Sequence, residues 1–128
     1  GPEGSRHFRS GIFDTKSDSN TETPTETAAN NAILLMDGVF LLRPELADFW
    51  DVSIFVDITP EVCMDRAIQR DAARMGSIEA VQRRYHRRYI PGQDLYTQFC
   101  HTRQRANVVI DNNDFRNPVI YFQRQVAG

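Results

Sequence analysis

No G-x-x-x-x-G-K-[ST] segment occurs in these 128 residues, and the single lysine, Lys16, lies in no glycine-rich context. Backbone amides of such a loop are what cradle phosphates, so that ready-made nest is missing from this stretch of chain. No apolar run approaches the roughly 20 residues that a membrane-spanning helix needs, and no signal peptide is visible. There are only two cysteines, Cys63 and Cys100, in no metal-type spacing, and His101 beside Cys100 is not a ligand set on its own. They read as reduced, partly buried thiols of a cytoplasmic protein. No Ser-His-Asp or metal-ligand pattern takes the place of the missing loop. A basic excess is also lacking. Fifteen Lys and Arg stand against 17 Asp and Glu, a net charge of −2. A dedicated nucleic-acid binder usually shows the opposite balance, so nucleic acid is not the expected partner, although a local basic patch remains open.

What is present is ordinary for a soluble domain: 41% hydrophobic and 25% charged residues. The length suffices for one domain with a core. Residues 1–31 are polar and read as a loop or hairpin, partly flexible, with Ser17–Asn31 as its loop and Phe8–Asp14 as an island able to pair. Order begins at Asn31. Ala32–Met36 is a continuous apolar run, as in a strand buried on both faces. Arg43-Pro44-Glu45-Leu46 predicts a short helix, and Val52–Ile58 a second strand. Thr59-Pro60-Glu61 is a helix start, with a cap, a first-turn proline and an acid at the positive end. That helix should stop at Gly76. Ser77 opens another, which Pro91-Gly92 should break or kink. Asn107–Asp111 is a third buried strand, Pro118–Phe122 a final strand or tail, and 123–128 a tail. Strands separated by helices imply α/β layers with a parallel sheet of three core strands over 32–122. So narrow a sheet leaves apolar edges, which invites missing strands or a homodimer through the edge.

Several residues are candidates for chemistry. Asp37 ends a predicted strand, where open α/β sheets bind ligands, and a carboxylate there can hold hydrated magnesium beside phosphates. The plainer reading is a junction aspartate bonding nearby amides. Arg66, Arg70 and Arg74 recur every four residues, on one side of a helix. Such a row suits a phosphate clamp, or it is a solvated face with Asp65 and Asp71 as counter-charges. Arg83-Arg84-Tyr85-His86-Arg87-Arg88-Tyr89 interleaves basic and aromatic residues, as nucleic-acid sites do. It equally suits an exposed basic face or a second anion clamp. On an ordinary helix Arg84 and Arg88 share one face, and Arg83 and Arg87 another. Asp14, Lys16 and Asp18 follow Phe13 and form either part of a small-molecule pocket or a surface loop. Asp111-Asn112-Asn113-Asp114 lacks the spacing of a calcium loop and reads as a turn.

Taken in order, these pieces resemble the C-terminal portion of uridine kinase and its bacterial relatives among the P-loop kinases, over about Phe8–Ile120. The resemblance is carried by Asp37-Gly38-Val39-Phe40, by Asp51–Asp57, by the helix with Arg66 and Arg70-Asp71, by Tyr85–Tyr89 with Pro91-Gly92-Gln93, and by Ala106–Asn112. It implies a partial P-loop NTPase, Rossmann-like sheet with flanking helices. It also implies a part of a longer ATP- and magnesium-dependent kinase that phosphorylates a hydroxyl of a nucleoside or another small metabolite. In that likeness Asp37 stands near magnesium and phosphates, and Arg66, Arg70 and Arg74 are lid arginines over ATP. Asp111 borders the nucleotide, and Phe13, Asp14 and Asp18 line the acceptor site. Asp18 departs from the family, whose uridine kinases carry a histidine there against the base, so the acceptor stays open. Alone, the chain is expected to be inactive. The alternatives are an RNA-binding module using residues 83–88 and a structural remnant without a ligand. RNA binding predicts that those arginines face solvent as one positive patch.

Overall fold

The computed structural model describes residues 4–14 and 17–122, and the chain divides after Asp37 into two compact units. The expected tail 123–128 and Lys16 lie outside the described residues.

The first unit is a nested hairpin. Its strands are β1 (His7–Phe8), β2 (Phe13–Asp14), β3 (Ser19–Asn20) and β4 (Glu26–Thr27). β1 pairs antiparallel with β4, and β2 with β3. Further amides close the ribbon: Ala28 N–H donates to the Arg6 carbonyl at 2.9 Å and Thr21 N–H to the Ile12 carbonyl at 3.0 Å. Ser17–Asn31, expected as a loop, therefore supplies both returning strands. Ladder bonds come from the backbone, and Ser and Thr suit a solvated ribbon, so an apolar pattern is not needed to make one. Ala32–Met36 is the reverse case and corrects the expected buried strand. It forms no strand, and Leu35 is 90% exposed. A strand is stabilised by ladder partners and covered faces, and no described strand pairs with this run.

The second unit contains α1 (Pro44–Ala47), β5 (Ile54–Asp57), α2 (Pro60–Met75), α3 (Ile78–Arg84), a π-helical turn (Tyr85–Tyr89), α4 (Ile90–Cys100), α5 (Thr102–Arg105), β6 (Val108–Asp111) and β7 (Val119–Phe122). The sheet order is β5-β6-β7. β5 and β6 are parallel, from Ile54 opposite Val108 to Asp57 opposite Asp111, whereas β7 is antiparallel to β6. The sheet is thus mixed rather than all parallel. The helices between β5 and β6 give room for a parallel crossover, while the short turn after Asp111 can only return the chain antiparallel.

The ends of α2 follow their sequence signals. Thr59 Oγ1 accepts from Val62 N–H, Pro60 occupies the first turn, and Gly76 adopts φ +88° beyond the last turn. A Cβ at Gly76 would meet nothing within 4 Å, so the backbone angle alone calls for glycine. Ser77 Oγ then accepts from Ala80 N–H at 3.1 Å and starts α3. Pro91-Gly92 leaves the helical run unbroken, against expectation. Ile90 N–H reaches back five residues to the Tyr85 carbonyl, and Pro91 sits in the first turn of α4. The first turn is where a helix tolerates proline.

Two cores hold this unit. Leu42, Ala106 and Val109 form one, flanked by Trp50, Phe55 and Tyr96. Tyr96 Oη accepts from Leu42 N–H at 2.8 Å, and Trp50 Nε1–H donates to the Leu41 carbonyl at 2.7 Å. Ala67, Val81 and Tyr85 form the other, between α2, α3 and the π turn.

Candidate functional site

Parallel pairing of β5 and β6 sets two carboxylates side by side at the carboxyl edge of the sheet, Asp57 opposite Asp111. This is the edge at which open α/β sheets place ligands. Asp57 forms an ion pair with Arg103 of α5. Asp111 Oδ1 accepts from Asn113 N–H at 3.0 Å and from Asn113 Nδ2 at 2.7 Å. Those bonds, the backbone amide first, hold the Asp111 carboxyl below its ordinary value, with Arg103 adding to the effect. Asn113 Oδ1 in turn accepts from Thr59 N–H at 2.8 Å, tying the loop after β6 to the start of α2. Arg66 completes the tie from α2, donating through Nη2 to the carbonyls of Asn112 at 2.7 Å and Asn113 at 3.1 Å.

The remaining arginines of the α2 row have a different partner. Asp71 is 3% exposed. It accepts from Arg70 Nε at 3.1 Å and Nη2 at 2.8 Å, and from Arg74 Nη2 at 3.1 Å. The Tyr85 hydroxyl donates to Asp71 Oδ2 at 3.3 Å and accepts from Arg70 Nη2 at 2.9 Å. Arg70's hydrogen bonds, joined by Arg74 and opposed by burial, keep the Asp71 carboxyl well below the usual carboxylate range. The same bonds push the Arg70 guanidinium up, while burial raises the Tyr85 phenol. The Arg70 and Arg74 side chains are 71% and 68% exposed, so both stand on a buried anion with N–H groups toward solvent. The arrangement holds two guanidiniums around one carboxylate, an excess of one positive charge at the surface.

In the first unit, Phe13, Asp14 and Asp18 come together at the tip of the inner hairpin. Phe13 lies opposite Asn20 and Asp14 opposite Ser19, with Asp18 at φ +50° in the turn. Ser17 Oγ donates to Asp14 Oδ2 at 2.8 Å. Asp37 is exposed, after the uncovered Ile33–Met36 run. Among the described residues no three His, Cys, Asp or Glu side chains gather as a metal cage. Asp37 does not end a strand, against expectation, because the apolar run before it has no ladder partner among the described strands.

The sequence does not single out Asp57 or Arg103 for these sites, and it offers Asn113 only as part of a turn and Tyr85 only as part of the basic–aromatic segment. A signal existed for Asp57. Phe55-Val56-Asp57 and Val109-Ile110-Asp111 are matching apolar runs ending in Asp, and parallel register puts such ends together.

The sequence model of the Phosphoribulokinase / Uridine kinase family matches residues 5–116. The chain is similar to the uridine kinase of Pasteurella multocida, 35% identical over 81 residues that make up 61% of this chain and 36% of that protein. It is 30% identical over 89 residues to the uridine kinase of Shewanella amazonensis, covering 67% of this chain and 41% of that one. Against the uridine kinase of Vibrio vulnificus it is 26% identical over 89 residues, 67% of this chain and 40% of that one. The chain spans about two fifths of the length of these curated relatives. No solved structure matches.

Proposed function

The chain belongs to the Phosphoribulokinase / Uridine kinase family, and from that premise we propose that it contributes the phosphate clamp and part of the acceptor site of an ATP-dependent kinase. The reaction is transfer of the γ-phosphoryl group to a hydroxyl of a nucleoside or another small metabolite. The observation that carries the reading is the Arg70–Asp71–Arg74 cluster, two exposed guanidiniums fixed on one buried carboxylate. Phosphoryl transfer is catalysed mainly by positioning and by charge stabilisation. Guanidiniums already held in place lose little freedom when negative charge spreads over the transferring group.

Bound ATP with magnesium supplies the phosphoryl group, and the residues of this chain bind and orient it. Arg70 and Arg74 would neutralise phosphate oxygens, with Arg66 bracing the loop after β6 from the same helix. Asp37 would take magnesium through its water shell. Asp111 would border the nucleotide at the carboxyl edge. Phe13 would pack on the acceptor, and Asp14 and Asp18 would accept hydrogen bonds from its hydroxyls.

A coupled assay with ATP, magnesium and a panel of nucleosides tests this, run on this chain and on a longer natural protein that contains it. Turnover by the longer protein that falls about 100-fold in kcat with Arg70→Gln is the expected result. Turnover indifferent to Arg70→Gln and Arg74→Gln removes both from the clamp. Failure of every nucleoside moves the acceptor to other hydroxyl metabolites.

A further inference from the structure

Four arginines line one groove on the second unit, Arg83, Arg84, Arg87 and Arg88, together with Ala80. The groove holds about 340 Å³ and is shallow and open to solvent. Regular α-helical spacing sorts these residues into two faces, Arg83 with Arg87 and Arg84 with Arg88. Those two faces adjoin, and across the π turn over Tyr85–Tyr89 all four line one surface. Their backbone is anchored from behind. Tyr85 is 7% exposed and bonded to Asp71, and the Tyr89 ring meets it edge-on at 4.9 Å. Arg84 lies over the outer Tyr89 ring, 5.7 Å from its centroid.

Among the described residues none of the four arginines takes part in an ion pair. One acid, Glu79, precedes Arg83 by four residues on α3. The cluster is therefore an undercompensated concentration of positive charge on a chain whose net charge is −2. Like charges at this spacing repel, and the arrangement becomes favourable when an anion enters.

We propose that this groove binds single-stranded RNA, with backbone phosphates on Arg83, Arg84, Arg87 and Arg88 and a base stacked beside the Tyr89–Arg84 pair. The proposal stands apart from the kinase reading. An open groove suits a strand passing through it better than a small anion, which gains most from enclosure. The Tyr89 ring, 38% exposed beside Arg84, adds an aromatic of the kind on which bases stack without regard to sequence. Only Ala80 is apolar in the lining, so a lipid surface finds nothing there to bury its chains against.

The test is fluorescence anisotropy of the full chain with a labelled oligouridylate of about 12 nucleotides, over roughly 50–200 mM salt. Four phosphate contacts predict a log–log salt slope near −3, each contact adding about 0.7. Each single Arg→Gln change in the groove should remove about that increment. Tyr89→Ala should weaken binding by about tenfold and leave the slope alone. Replacing all four arginines by lysine keeps the charge and should keep the slope, which separates phosphate binding from a folding defect. Absence of binding at the lowest salt overturns the proposal, as does a slope unchanged by the glutamine variants. Equal competition by inorganic triphosphate at matched phosphate concentration overturns it in favour of a small anion. Binding to anionic vesicles with none to the oligonucleotide overturns it in favour of a membrane surface.

Discussion

Two sets of arginines, each with members spaced by four residues, lie on neighbouring helices of the same unit and are partnered in opposite ways. On α2, Arg66 bonds loop carbonyls while Arg70 and Arg74 flank a buried carboxylate. On α3 and the π turn, Arg83, Arg84, Arg87 and Arg88 line an open groove without an ion pair among the described residues. Spacing alone therefore does not determine what a basic helix face does. The α2 set carries its own acceptors, Asp71 above all, and so its charges are placed before any ligand arrives. The groove set shares its helical turn with the buried Tyr85, but among the described residues its charges have no ion-pair partner.

Tyr85 bonds Arg70 and Asp71 of the first set and belongs to the π turn that carries the second, and Val81 packs with it with no exposed surface. The strongest way to break the contrast is Val81→Ala. It should cost about 2–3 kcal/mol in a urea melt and loosen the two sets together. A loss confined to a few tenths of a kcal/mol would mean the helices are held apart from this core.

A sharper cut is Asp71→Asn, which leaves Arg70 and Arg74 without their anion and brings the α2 set closer to the groove set. The Asp71 carboxyl is depressed in the folded chain by Arg70 and Arg74. Its stabilisation is complete above the unfolded carboxylate value of about 3.9 and is lost as pH falls through the lower folded value. The variant should be less stable than the native chain at pH 7, and the two should converge in strong acid. A difference that persists unchanged into acid would show that the side chain acts through packing instead.

The smallest expected effect is the most selective. Arg74→Gln on α2 should lower stability, whereas Arg87→Gln in the groove should leave it unchanged or raise it by about 0.3 kcal/mol by relieving repulsion. Equal losses from both changes would erase the distinction between the two sets.

The sequence announced parts of this plainly and hid others. Thr59-Pro60-Glu61 and Gly76 delimit α2 because capping and a left-handed backbone are local requirements. The β-branched runs ending in Asp57 and Asp111 announce β5 and β6. Asp71 is named in the sequence as a counter-charge to the arginine row, which its bonds to Arg70 and Arg74 match, but its burial is not legible there because it depends on another helix. It is Tyr85, contributed by the next helix, that closes the cluster around its carboxylate. Ala32–Met36 misled because burial of an apolar run is a property of its surroundings, and here Ile33, Leu34 and Leu35 stay open to solvent. The strands around Ser19 and Thr27 carried no apolar signal at all.

The five-residue reach from Ile90 N–H to the Tyr85 carbonyl is equivalent to one surplus residue inserted in an otherwise regular helix. A surplus residue can be taken out without moving what flanks it, so deleting His86 should restore the ordinary ladder and leave Arg87 and Arg88 in place beside Arg83 and Arg84. The bulge is thus a reserve of chain length rather than the origin of the arginine surface.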